Sequence, residues 1–368
     1  MNKIFLLITL FFLLSIDSQA LTLDVIPTDT TKVKRNSLAG FPVAYFTPET
    51  NWSFGAVGLF AFRAKGEADE SRPSQVSLAA AYTLNKQILL FIPFRLFLKD
   101  EKFYNYGELG YYSYNYFYSG IGNDINPAEE EIFDVNFPRI KLNALVRVYP
   151  KTYAGLRYWY DGYDIVGTKE NGLLQTNKPL GVEGGNVSGF GPMAVFDNRD
   201  NVFTPSNGYF IEAASLFAFQ GIGSDFNFSK FSLDARKFIA IGKKKRSVLA
   251  LNAYGEFTGG DAPFFQLSYL GGGKRMRGYL EGRYRDKHHA MLQAEYRFPL
   301  FWRFGGVVFA GTGGVASQVG EVFNDLRLAY GGGIRFLLNK NEGANVRIDY
   351  GVGAKGNSGF YLTIGEAF

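Results

Sequence analysis

The sequence predicts an all-β protein, a transmembrane antiparallel β-barrel of about sixteen strands with a long external loop folded into its lumen. Three observations predict it. Segments of about ten residues or more, the length of a tilted spanning strand, alternate apolar and charged side chains. Glycine is abundant at 44 residues, and aromatics make up 17% of the chain. After residue 20 no apolar run reaches the about 20 residues that a spanning helix needs.

The start of the chain, MNKIFLLITLFFLLSIDSQA, has a cationic Lys3, an apolar run over Ile4–Ile16 and a small-x-small end at Ser18-Gln19-Ala20. That is the pattern of a secretory signal peptide over residues 1–20. Residues 21–36 are polar and charged, without a core pattern, and are expected to form a short periplasmic tail or a plug-like segment, not a domain. Residues 37–368 form the barrel. The chain has no Cys, which excludes disulfides and a lipid-anchored Cys. A net charge of +5 over 368 residues gives no reason to expect a nucleic-acid partner.

Alternation assigns the faces. Leu292, Ala294, Tyr296 and Phe298 interleave with Gln293, Glu295 and Arg297. Val346, Ile348 and Tyr350 interleave with Arg347 and Asp349, and Phe231, Leu233 and Ala235 with Lys230, Ser232, Asp234 and Arg236. Successive side chains point to opposite faces of a strand, so each segment has one apolar and one charged face. A soluble antiparallel sheet alternates too. Segment length, mixed charge with glycine on the polar face, and aromatics crowding segment ends favour the membrane. The tyrosines from Tyr104 to Tyr118, with Phe301 and Trp302, read as interfacial girdles. A sheet in lipid must close.

The candidate strands are 37–47, 51–63, 74–85, 87–99, 102–114, 134–149, 152–165 and 185–199, then 208–220, 226–242, 247–259, 288–300, 304–315, 326–339, 344–353 and 359–368. With the N-terminus inside, the connection 260–287 faces outward, and Lys243-Lys244-Lys245-Arg246 forms an inner turn. A connection that long needs a reason.

That connection contains GGGKRMRGYLEGRYRDKHH, residues 271–289. It is not a phosphate-binding P-loop: Arg275 follows Lys274 where Ser or Thr is required, and no helix pattern follows. His288 and His289 are the only histidines. As strand neighbours they point to opposite sides, so no metal site is expected. Asp197-Asn198-Arg199-Asp200-Asn201 lacks calcium-loop spacing and reads as an Asx-stabilised turn. No catalytic residues, no cofactor and no enzymatic activity are expected. Two readings of the basic loop stand. It folds inward, Gly278 supplying the turn, and Arg277 meets Glu295 or Asp349 in the lumen. Or it is a solvated rim against lipopolysaccharide phosphates.

These residues resemble a known family. Arg275-Met276-Arg277-Gly278-Tyr279 is similar to the [VI]-R-G-[FY] motif of the BamA/TamA superfamily of outer-membrane barrels, the bacterial surface antigen family. Asp197, Arg199, Asp200 and Asn201 with Pro205 and Gly208 resemble its D-x-R-D-N…P-x-x-G turn. Ala294-Glu295-Tyr296-Arg297-Phe298-Pro299 resembles its E-x-R-x-P strand. Gly331, Gly333 and Arg335, then Arg347-Ile348-Asp349-Tyr350-Gly351, resemble its G-x-G-x-R and R-x-D-Y-G strands. The ending GFYLTIGEAF resembles a barrel-assembly signal, with Phe360, Leu362, Ile364 and Phe368 expected to face lipid. The resemblance covers roughly residues 185–368.

The resemblance implies a loop-lock motif at Arg277, Gly278 and Tyr279, with Glu295, Arg297 and Asp349 as lumen partners. Lys274 and Arg283 are expected at the loop rim. Gly311 stands where the family's F-x-D-x-G strand has Asp, so the lock rests on Glu295 with Asp349. The chain reads as a short form without POTRA domains. The expected localisation is the cell outer membrane. The implied partners are outer-membrane lipid and lipopolysaccharide, unfolded outer-membrane protein clients, a separate periplasmic partner, and the barrel-assembly machinery for its own insertion. The implied role is insertion or translocation of proteins through a seam between the first and last strands. The alternative is a passive pore or structural barrel without clients.

Cleavage after Ala20 is checked by N-terminal sequencing of outer-membrane material. The expected first residue is Leu21, and a chain beginning at Met1 would reject the signal peptide.

Overall fold

The computed structural model describes residues 36–368 except 69–70, 127–128, 203, 243–245 and 339–344. The expected signal peptide, the tail up to residue 35 and Lys243, Lys244 and Lys245 lie outside the described residues. The strands are β1 (Asn36–Thr47), β2 (Asn51–Phe62), β3 (Ser74–Thr83), β4 (Ile88–Leu98), β5 (Phe103–Tyr118), β6 (Glu131–Tyr149), β7 (Thr152–Gly167), β8 (Gly185–Asp197) and β9 (Gly208–Ala218). They continue with β10 (Phe228–Ile241), β11 (Ser247–Gly260), β12 (Ser268–Leu270), β13 (Tyr284–Asp286), β14 (His288–Pro299), β15 (Phe304–Ala316), β16 (Arg327–Leu337), β17 (Asn345–Gly353) and β18 (Ser358–Ile364). β12 and β13 pair only with each other, inside the β11–β14 connection. Among the described residues, the other sixteen strands close into one antiparallel barrel, each beside its neighbour in sequence and β1 beside β18. The terminal rim is the end where β1 begins and β18 finishes. The loop rim is the opposite end.

The barrel is apolar outside and charged inside. Leu292, Tyr296, Leu328, Tyr330, Ile334, Ile348 and Tyr350 are exposed, whereas Gln293, Glu295, Arg297, Arg335, Arg347 and Asp349 are buried. Water would favour the reverse, since buried charges cost several kcal/mol unless paired. A lipid exterior explains both faces. No helix of the described residues is long and apolar enough to cross a membrane.

The lumen has two kinds of wall. From β1 to β7 it is largely aromatic and aliphatic, with Tyr45, Phe91, Tyr112, Tyr114, Tyr118, Phe133, Phe137 and Tyr163 in one cluster. From β10 to β18 it is charged. The girdle reading of the tyrosine run is therefore corrected. Tyr106, Tyr112, Tyr114 and Tyr118 are buried, and Tyr104 stacks on Phe97 and Tyr106. Residues at even positions share a face, and on β5 that face points inward. The strand also runs to Tyr118, past the expected 114. Phe301 and Trp302 are exposed in the turn after β14, as a girdle requires.

The end of the chain departs from its expectation as well. β18 stops at Ile364. Phe360 is exposed, but Leu362 and Phe368 are buried. Gly365 takes φ +78 and donates its N–H to the Asn345 carbonyl at 2.9 Å, which turns the chain inward. Phe368 packs with Phe238 and Ala250 on the β10–β11 wall, and Arg297 Nη2 donates to its carbonyl at 3.0 Å. Ile364 packs against the aromatic cluster. Of the four residues expected to face lipid, only Phe360 does so fully.

Closure is uneven. β1 pairs with β2 from Asn36↔Phe62 to Thr47↔Asn51 without a gap, but with β18 only at Phe46↔Leu362. Prolines show why. Pro93, Pro138 and Pro192 each fall in a gap of a ladder, between β3 and β4, β6 and β7, and β8 and β9. Proline has no N–H to give, and within sheets it belongs at edges. Pro42 leaves the β1–β2 ladder intact, so its missing donor falls on the β18 side.

Replacing lipid-facing Ile92, near the middle of β4, by Arg (I92R) should destabilise the barrel by about 2–4 kcal/mol in a bilayer. Denaturant titration in liposomes checks this, and unchanged stability would reject the lipid-facing assignment.

Candidate functional site

The β11–β14 connection crosses the lumen and touches both walls. At its start, Phe264 meets Tyr118 and Phe133 edge-on, and Phe265 stacks on Tyr163 at 4.2 Å between ring centroids. The β12–β13 ribbon then carries a tip, residues 271–283, to the opposite wall. Gly271, Gly272, Gly278 and Gly282 all have positive φ, which other residues rarely adopt.

Glycines let the tip lie against the wall. A Cβ on Gly278 would sit 2.8 Å from the Val352 backbone, and one on Gly351 2.5 Å from the Arg277 carbonyl oxygen. Gly353 leaves room for the Tyr279 ring. Gly278 N–H donates to Tyr361 Oη at 3.1 Å. Tyr279 Oη donates to the Leu328 carbonyl at 2.8 Å and accepts from Ala354 N–H at 2.7 Å.

Arg277 sits at the centre and is 1% exposed. Nη2 donates to Glu295 Oε1 and Nη1 to Asp349 Oδ2. Its guanidinium stands 3.6 Å over the Phe309 ring. Each carboxylate has a second cation. Arg297 Nε donates to Glu295 Oε2 at 2.9 Å, and Arg335 Nη1 to Asp349 Oδ1 at 2.5 Å. Arg335 Nε also donates to Glu366 Oε2 at 2.7 Å. Arg347 donates through Nε to Thr363 Oγ1 at 2.8 Å, with Asp349 3.7 Å away. Gly333 makes this possible, because a Cβ there would stand 2.0 Å from Asp349 Oδ1. The planar fork of Arg277 bridges carboxylates on β14 and β17, which an ammonium holds less well.

The structure thus brings Arg277, Glu295, Arg297 and Asp349 together. Sequence reading missed Glu366 and Tyr361, and it gave Arg335 no partner. Gly331-x-Gly333-x-Arg335 placed Arg335 two residues beyond a cavity-making glycine on the polar face, which was the available signal. Gly311 also has a local reason. A Cβ there would stand 3.1 Å from Met276 Sδ and 3.0 Å from Gln293 Cβ, so Met276 fills that side of the tip.

Arg283 lies at the loop rim, between the β5–β6 and β17–β18 connections, but it is paired there and not solvated. Arg283 donates to both carboxylate oxygens of Glu130, at 2.7 and 2.9 Å, and to Asn357 Oδ1. Arg285 is buried, and its Nη2 donates to the Phe117 carbonyl at 2.7 Å. Arg275 lies 3.3 Å over the Tyr254 ring, and the Lys274 carbonyl accepts from Gln293 Nε2. Each bond to the barrel satisfies a polar group that folding inward has removed from water. Lys287 is the exposed cation of this stretch.

The Asp197–Gly208 motif lies apart, at the terminal rim. Arg199 donates to both oxygens of Asp197, at 2.9 and 2.8 Å, and stands over the Phe210 ring. Asp200 accepts the N–H groups of Asn201, Ser206 and Asn207, and Asn201 Oδ1 accepts that of Thr204. Partial burial raises the Asp200 carboxyl, but Ser206 and these amides outweigh it and hold it below the usual range. Pro205 is buried. Gly208 at φ +109 passes so close to the Asn198 carbonyl that a Cβ would stand 2.5 Å away.

The profile of the Omp85 superfamily domain matches residues 105–368. No protein of curated function matches the chain. Among solved structures it is similar to BamA from Haemophilus ducreyi lacking POTRA domains 1–3, at TM-score 0.59 and 12% identity over 91% of this chain and 70% of that one. It is similar to CdiB from Acinetobacter baumannii, at TM-score 0.58 and 12% identity over 90% of this chain and 60% of that one. It also resembles CdiB from Escherichia coli, at TM-score 0.57 and 10% identity over 90% and 63%. The chain spans less than two thirds of each CdiB structure. At these identities the likeness establishes the fold.

Arg277→Ala should cost about 1–3 kcal/mol, the range for stranding buried polar groups when Arg297 and Arg335 remain beside the two carboxylates. Arg277→Lys should recover only part of this. Double-mutant cycles of Arg277 with Glu295 and with Asp349 check it, and additive effects in both would show that the pairs do not form.

Proposed function

Because the chain belongs to the Omp85 superfamily, we propose that it inserts or translocates proteins at the bacterial outer membrane through the seam between β1 and β18. On this reading the terminal rim faces the periplasm and the basic loop enters from outside. An incoming strand adds to the free edge of β1 by the hydrogen bonding that holds any sheet together, and the edge templates it. The observation that carries the reading is the single pair, Phe46↔Leu362, joining β1 to β18, beside an unbroken ladder between β1 and β2. Pro42 on the open side and the inward turn at Gly365 keep that ladder short.

A passive pore shares the fold but fits less well. The loop crosses the lumen and is bonded to both walls, and buried ion pairs hold its tip. A partner at the terminal rim, where the Asp197–Gly208 turn stands, would deliver unfolded clients. Resemblance to BamA and CdiB motivates this part.

The test exploits a chain without Cys. Directly paired antiparallel residues have Cα atoms about 4.5–5.5 Å apart, within disulfide range. In F46C/L362C the oxidised barrel should lose the ability to fold co-reconstituted outer-membrane proteins, and reductant should restore it. Full activity in the oxidised, demonstrably crosslinked protein would reject the seam mechanism.

A further inference from the structure

The outer wall is not uniformly bulky. Between β9 and β16 it carries a groove of about 750 Å³, within the roughly 300–1,000 Å³ range of small-molecule sites. Two rows of outward-facing residues in register form it. One runs Tyr209–Lys237–Leu251–Ala294–Ala310, the other Ile211–Ala235–Ala253–Leu292–Thr312–Leu328. Ala235, Ala253, Ala294 and Ala310 make a shallow floor, and Leu292 and Leu328 stand as walls at 59% and 64% exposure. On the wall formed by β2, β3 and β4 the corresponding face carries Phe54, Phe60, Leu78, Tyr82, Leu90 and Ile92.

The groove runs diagonally through the apolar band. Tyr209 is the second residue of β9, at the terminal rim, and Leu328 the second of β16, at the loop rim. Five strand-to-strand steps of about 4.8 Å make it about 24 Å long, against a hydrocarbon core of about 30 Å.

Its terminal end carries a cation. Lys237 is directly opposite Tyr209, and its Nζ lies 3.3 Å from that ring's centroid. The side chain issues from the lipid-facing side of β10, between Ala235 and Ile239. Such a lysine lays its stem on apolar surface and carries its ammonium to the interface. Tyr209, an amphipathic ring at the strand end, marks that depth. No Asp or Glu lines the groove.

We propose that this groove is a binding site for one glycerophospholipid of the periplasmic leaflet, its acyl chain on the alanine floor and its phosphate on Lys237. The occupant follows from the environment: the groove lies within the band that lipid covers, and Lys237, the charge on its outward face, is positive and at the level of headgroups. An acyl chain seated there makes dispersion contacts that straight, neighbouring chains would leave unmade. Seating one molecule at a fixed place gives the barrel a lipid contact distinct from the rest of its boundary. The site is independent of the β1–β18 seam, which lies outside these six strands.

The test reconstitutes the full chain in phosphatidylglycerol vesicles containing a phosphatidylglycerol with a photoactivatable acyl chain. Labelling should concentrate on β11, β14 and β15. The variant A253L/A294L should reduce it there at least threefold, and Lys237→Gln should also reduce it while Lys237→Arg retains it. Ala80→Leu on β3 should change nothing. Heat-modifiable mobility confirms that each variant is folded. Labelling spread evenly around the barrel, or unaffected by filling the groove, would overturn the proposal, as would crosslinks to a second protein chain in place of lipid.

Discussion

A guanidinium buried between two carboxylates organises this barrel. Arg277 could not leave water alone, because an unpaired buried charge is among the most expensive groups a protein can hold. The fold meets that demand with Glu295 from β14 and Asp349 from β17, each steadied by a further arginine. Much else follows from seating the tip there. Gly333 clears room for the Asp349 carboxylate, Gly351 lets the Arg277 backbone approach, and Gly353 accepts the Tyr279 ring. These glycines look like weak points in a strand, yet each marks a place where something else must fit.

The same loop has a second attachment of different physics. Phe264 and Phe265 join the aromatic wall of β5–β7, where burial of apolar area holds them. Arg283 and Arg285 tie the return limb to Glu130 and to the Phe117 carbonyl. The loop is therefore a strut from an aromatic wall to a charged one, and its tip also bonds Tyr361 on β18 and Glu49 after β1. The pairing is polarised. The β14–β17 wall has long ladders and a shared ion-pair network, whereas β1 and β18 share a single pair.

Strand positions were legible because alternation has a period of two and the inner and outer environments differ so sharply. The candidate 51–63 became Asn51–Phe62, and 247–259 became Ser247–Gly260. Arg277 and its carboxylates were legible through motif order and an alternation that put Glu295 and Asp349 on the polar face. Three things were not. The tyrosines of β5 suit either an interface or an aromatic lumen, and alternation cannot name the inner face where both faces carry rings. Arg283 looked like a solvated cation because its partner, Glu130, lies in a loop distant in sequence. The chain end read as a spanning strand to Phe368, since Gly365 gives no sign in sequence of turning inward. Pro42 was a readable signal of the short β1–β18 ladder.

Backbone hydrogen exchange of the reconstituted barrel tests the polarised account most directly. Amide protection reports opening strand by strand. The amides of Gly40 and Ala44, which flank Pro42 and share its β18 side, should exchange far faster than those of residues 291–297 of β14 and 347–351 of β17, at equal depth in the bilayer. Equal protection of the two regions would mean that the seam is as firmly closed as the wall holding Arg277, and would contradict the account.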